Sequence, residues 1–100
     1  MADNKIRVYQ NNNKTVICTV SNLDITGYTP YLTAKKNNAA EISLSKEGII
    51  SDASTAIFYL TPTDTSLVAG DYIYDITLET DSSIYTLVKD AFIVLDGVRH

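Results

Sequence analysis

Apolar and polar side chains alternate with a period of two in short runs along almost the whole chain. Polar breaks interrupt these runs roughly every 8–12 residues. A strand buried on one side demands this pattern, because successive side chains point to opposite faces. The period of an amphipathic helix is almost absent. Thirty of the 100 residues are Val, Ile or Thr, and seven more are Tyr. Branched and aromatic side chains of this kind fit a pleated, half-buried surface.

The runs predict strands over residues 5–9, 14–21, 29–36, 41–45, 55–60 and 71–80. A last strand is expected over 84–95, with a bulge at Lys89-Asp90, where the alternation slips. Ile49-Ile50 is a further short extended piece. In the second run Val16, Cys18 and Val20 share one face, and Thr15, Ile17 and Thr19 share the other. Asn11-Asn12-Asn13 and Asp81-Ser82-Ser83 read as turns, since Asn and Asp tolerate left-handed backbone. Between residues 23 and 28 the chain makes a corner, where Gly27 is free to take a positive φ.

Residues 61–70 read differently. Thr61 is placed as an N-cap, Pro62 at a first helical position and Asp64 three residues after the cap. The expectation is a short helical crossover near 62–69 that tucks Leu67 under the rim and ends at Gly70.

Seven or eight short strands, each with one face to hide, imply two sheets meeting face to face. The expected core is Val16, Cys18, Val20, Leu32, Ala34, Ile42, Leu44, Phe58, Leu60, Tyr74, Ile76, Leu78, Phe92 and Val94. The domain is expected to span residues 5–97, with an arm at 1–4 and a tail at 98–100 that order on docking.

Composition removes several functions. Eight Lys+Arg against twelve Asp+Glu give a net charge of −4, the wrong sign for a nucleic-acid binder. One Cys, Cys18, permits no internal disulfide and no thiolate cluster. The one His is the last residue, so neither a Ser-His-Asp nor a Cys-His arrangement is supported. No apolar run approaches the ~20 residues of a membrane helix, and the first residues hold no apolar signal core. We expect no cofactor, no metal, no nucleic acid and no membrane, and no catalysis.

The segment from Leu67 to Tyr74 looks like the entry to strand F of an immunoglobulin-like domain, where a Tyr stands two residues before the second Cys. Tyr72 is then the corner residue, Tyr74 takes the Cys position, and Cys18 falls where the first Cys would be. Tyr74 would fill the space of the missing disulfide, and Cys18 would be buried and inert. Three segments extend the likeness. They are Asp24-Ile25-Thr26-Gly27-Tyr28, the run from Thr61 to Ile76, and Tyr85-Thr86-Leu87 followed by Phe92-Ile93-Val94. Together they resemble the immunoglobulin-like accessory modules of tailed-bacteriophage virions. That group includes the N-terminal domain of baseplate upper proteins and head-fibre and capsid accessory proteins. The resemblance covers about residues 5–98 of this chain.

It implies a non-enzymatic virion protein made in the bacterial cytoplasm, one that decorates a capsid or anchors a head fibre. The partners would be other virion proteins and further copies of the chain. The alternatives are a tail or baseplate adaptor and a carbohydrate-binding domain. The motif residues Gly27, Pro62, Gly70, Tyr72, Tyr74 and Phe92 are structural in that group.

Other candidates have plainer readings. Asp71, Asp75 and Glu79 alternate along one strand face, where solvated acids need no pocket. Lys35-Lys36 blunts a strand end. The outward residues Ile17, Tyr31, Ile57, Tyr59, Ile73 and Tyr85 are the expected contact patch, because clustered apolar side chains on an outer face mark interfaces.

Overall fold

The computed structural model describes residues 5–21, 23–36 and 41–96. The arm at 1–4 and the tail at 98–100 lie outside them. Eight strands follow in chain order: β1 (Ile6–Tyr9), β2 (Lys14–Thr19), β3 (Thr29–Lys36), β4 (Leu44–Glu47), β5 (Ile49–Asp52), β6 (Thr55–Leu60), β7 (Gly70–Glu79) and β8 (Ile84–Leu95). They form a five-stranded sheet in the order β1-β8-β7-β3-β4 and a three-stranded sheet in the order β2-β6-β5. All neighbours are antiparallel except β1 and β8, which run parallel. The hairpins β3–β4, β5–β6 and β7–β8 stay within one sheet, and the other connections cross between sheets.

The alternation dictates the layering. Tyr72, Tyr74, Ile76 and Leu78 of β7 are buried, as are Leu32 and Ala34 of β3, Phe92 and Val94 of β8, and Ala56, Phe58 and Leu60 of β6. These side chains form one continuous core between the sheets. Phe92 lies at its centre, with the rings of Tyr72 and Tyr74 packed edge-on at 6.5 and 6.3 Å. Such aromatic pairs add to what burial alone provides. Tyr72 also donates its hydroxyl to the Val68 carbonyl at 2.8 Å, so the corner residue ties its strand to the preceding loop.

Several expectations are corrected. Among the described residues there is no helix. Thr61 and Asp64 do cap each other: the Asp64 carboxylate accepts the Thr61 N–H at 2.8 Å, and the Thr61 hydroxyl accepts the Asp64 N–H at 3.2 Å. The Thr65 N–H closes one turn on the Thr61 carbonyl at 3.1 Å. The chain then leaves for β7, because a segment this short cannot offset the cost of nucleating a helix. Leu67 still packs against the core. Thr65 is fully buried and donates its hydroxyl to the Asn12 carbonyl at 2.7 Å, locking this turn to the Asn11–Asn13 turn.

Ile42 is 61% exposed rather than in the core. The return strand begins only at Leu44, which pairs with Ala34, so Ile42 precedes the sheet. The bulge lies at Leu87, not at Lys89-Asp90. Ile76 pairs with Val88 and Thr77 with Thr86, which leaves Leu87 as the extra residue. Leu87 and Val88 therefore both reach the core. Gly27 has no positive φ; that conformation occurs at Gly70 (152°) and at Asn11 (62°). The 23–28 corner is held instead by Asp24, whose carboxylate accepts the Thr26 N–H at 3.0 Å and the Thr26 hydroxyl at 2.6 Å. Inside that corner Ile25 is fully buried. Ile6, Val8, Ala56 and Tyr72 also join the core.

Candidate contact surface

The three-stranded sheet turns one face to the core and the other to solvent. On the outer face the register lines up one isoleucine from each strand: Ile17 of β2 pairs with Ile57 of β6, which pairs with Ile49 of β5. Ile17 is 63% exposed and Ile49 is 56% exposed, while Ile57 between them is half-buried. Tyr59, next along β6 on this face, is exposed and pairs with Thr15. The Thr19–Thr55 pair flanks the row on its other side. None of these side chains carries a charge at neutral pH; the carboxylate on this face is Asp52, which pairs with Thr55 at the end of β5.

The edge strands of this sheet are β2 and β5. Among the described residues β2 pairs with β6 alone. The Val20 N–H bonds to the Ser54 carbonyl at 2.7 Å. By the alternation of an antiparallel ladder, Val16, Cys18 and Val20 aim their backbone groups at β6, and Thr15, Ile17 and Thr19 aim theirs at the open edge. Beside that edge a cleft of about 460 Å³ separates β2 from β8. Its walls include Val16, Cys18, Val20, Ile76, Leu87 and Val88. Cys18 is half-buried there rather than fully buried, and burial pushes its thiol pKa upward. A raised pKa leaves less thiolate, the form that reacts.

The structure divides the six expected contact residues. Ile17, Ile57 and Tyr59 come together on the small sheet. Tyr31 and Ile73 lie on the outer face of the other sheet and are half-buried. Tyr85 changes sides. The extra residue at Leu87 inverts the faces before it, so Tyr85 pairs with the inward Leu78 and packs edge-on against Tyr28 at 5.8 Å, while remaining 47% exposed. Tyr31, Tyr59 and Tyr85 therefore form no common platform for a sugar. Ile49 was not among the expected contact residues. Its signal was present in the Ile49-Ile50 pair, where one residue must face out if the other packs in.

The remaining named residues are structural. Pro62 is exposed in the capped turn, Gly70 opens β7, and Tyr74 and Phe92 fill the core. Asp71, Asp75 and Glu79 lie on the solvent face of β7. Among the described residues no group of three or more His, Cys, Asp or Glu side chains is placed to hold a metal ion, and no helix is long and apolar enough to cross a membrane. No protein family and no curated protein matches the chain in comparison.

Proposed function

We propose that this chain is an immunoglobulin-like contact module of a tailed-phage particle, acting through protein–protein binding and without chemistry. The strand order supports the fold assignment. β2-β6-β5 corresponds to strands B, E and D of that fold, and β3-β7-β8 to C, F and G. The Tyr72 hydroxyl bonding back to Val68 matches its tyrosine corner. No disulfide is needed where Tyr74 and Phe92 fill the centre.

The observation that carries the binding role is the uncharged isoleucine row Ile17–Ile57–Ile49, beside Tyr59, on an outer sheet face. An apolar patch of this kind is costly to leave wet and marks a contact site. The particle setting rests on the sequence resemblance. A capsid accessory protein is the first reading within it, and a tail or baseplate adaptor is the second.

The test is quantitative mass spectrometry of particles purified from cells expressing the chain from its own genome. The chain is expected to band with the particles at fixed stoichiometry. Hundreds of copies per particle indicate decoration, and a few indicate a tail adaptor. Absence from the particles sinks the setting.

A further inference from the structure

We propose that the outer face of the three-stranded sheet is a self-association surface, on which a second copy of this chain stacks its own β2-β6-β5 sheet about a two-fold axis. The inference deepens the contact-module reading and rests on it, naming the surface and the partner.

Three observations favour a second copy. The first is charge. Each copy carries −4, so two copies repel least where the fewest charges stand. The outer face of the five-stranded sheet holds charged side chains of both signs, among them Arg7, Lys35, Asp75, Glu79 and Lys89, which a stacked copy would strip of water at a cost. The small sheet offers Thr15, Ile17, Thr19, Ile57, Tyr59 and Ile49, with a single carboxylate among the described residues, Asp52, at its margin beside Thr55. The second is symmetry. A two-fold axis along the isoleucine row lays each isoleucine on its counterpart and each Tyr59 over the Thr19–Thr55 pair of the other copy. A face that meets itself in this way closes as a dimer and does not propagate. The third is area. Three strands about 4.8 Å apart, two of six residues and one of four, give a footprint of about 250 Å². Side-chain relief roughly doubles the accessible area, so two copies bury about 1,000 Å², in the range of weak, transient interfaces. The dimer is therefore weak, which suits contacts repeated by symmetry on a larger assembly.

Sedimentation velocity on the full chain tests this. The wild type should pass from 11.0 kDa to twice that mass as concentration rises to about 1 mM. Ile17→Lys and Ile49→Lys should each weaken association at least about tenfold, as loss of a central anchor does. Thr33→Lys, outward on the five-stranded sheet, should leave it unchanged. Circular dichroism and thermal melting confirm that each variant is folded. A wild type that stays monomeric throughout overturns the proposal. So does a dimer indifferent to Ile49→Lys. A dimer that responds to Ile17→Lys alone is pairing through the open β2 edge, which overturns face stacking. A chain that is monomeric in sedimentation but still bands with particles in mass spectrometry sinks the dimer and leaves the contact module standing.

Discussion

Both sheets turn one apolar face to the core, and they differ on the side that faces water. β6 hides Ala56, Phe58 and Leu60, and β7 hides Tyr72, Tyr74, Ile76 and Leu78. Outside, the small sheet sets Ile17, Ile57 and Ile49 in a row with no charge among them. The large sheet sets Arg7, Lys35, Glu47, Asp75, Glu79 and Lys89 outward, with Asp75 directly opposite Lys89. Opposite charges across a ladder support a sheet and keep its face soluble. The lesson is that stability resides in the inner half of the alternation, where both sheets obey the same apolar rule. Their outer halves are free to differ, so the difference there carries function.

The largest expected effect tests that rule. Phe58 and Phe92 are both fully buried, one from each sheet. Phe58→Ala and Phe92→Ala should each cost about 3–5 kcal/mol in urea unfolding. If Phe58→Ala costs far less, the small sheet is an appendage and the comparison of faces loses its meaning.

A smaller effect separates two glycines. A Cβ on Gly48 would stand 2.6 Å from the Phe58 ring and 2.9 Å from the Ile57 carbonyl. Gly48→Ala should therefore cost about 1–3 kcal/mol by overpacking beneath the small sheet. Gly27 has open space and no positive φ. Gly27→Ala should be neutral or stabilise by about 0.5 kcal/mol, through the entropy of the unfolded chain. Equal losses at the two sites would contradict the packing described.

These glycines also mark how far the sequence could be read. The alternation identified seven of the strand segments, assigned Val16 and Thr15 to opposite faces, and picked out Tyr72 and the Asn11 turn. All of these are local signals. What it could not supply depended on pairing. The bulge at Leu87 adds one residue opposite Ile76 and Thr77 and so places Tyr85 on the Leu78 side of the sheet, where it is still 47% exposed, and alternation within β8 alone gives no sign of it. Ile42 reads as well in a strand as Leu44 does, until the pairing of Leu44 with Ala34 fixes where the strand begins. The Thr61-Asp64 cap is real, but its presence says nothing about how many turns follow. Of the contact surface, Ile17, Ile57 and Tyr59 were legible as outward residues. That they stand together, with Ile49 beside them, follows from register.

At one end the sheets are also tied by charge. Asp64, after β6, accepts from the Lys46 ammonium of β4 at 2.9 Å. Burial pushes the Asp64 carboxyl up, but the Thr61 N–H, the Lys46 ammonium and the Thr61 hydroxyl outweigh it, and its pKa falls below the usual aspartate value. A group whose folded pKa is depressed stabilises the fold above its unfolded pKa and loses that contribution as pH falls through the folded value. Asp64→Asn should cost about 1 kcal/mol at neutral pH. The gap from wild type should close under acid titration below the ordinary aspartate range. A gap that persists unchanged at low pH would assign the effect to packing rather than to ionisation.

The smallest expected effect is the one that most sharpens the comparison. Ile17→Thr and Ile49→Thr keep a branched side chain suited to a strand and remove apolar surface that is more than half exposed. If the row exists for contact, each change should alter unfolding stability by no more than about 0.5 kcal/mol, as exposed substitutions do. A loss above about 1.5 kcal/mol would mean that the row holds its own sheet together through cross-strand pairing. The outer faces would then differ in structural role, and the argument for a contact surface would lose its foundation. Measuring both variants at low protein concentration matters, because association stabilises the folded state by mass action and would mimic a structural role.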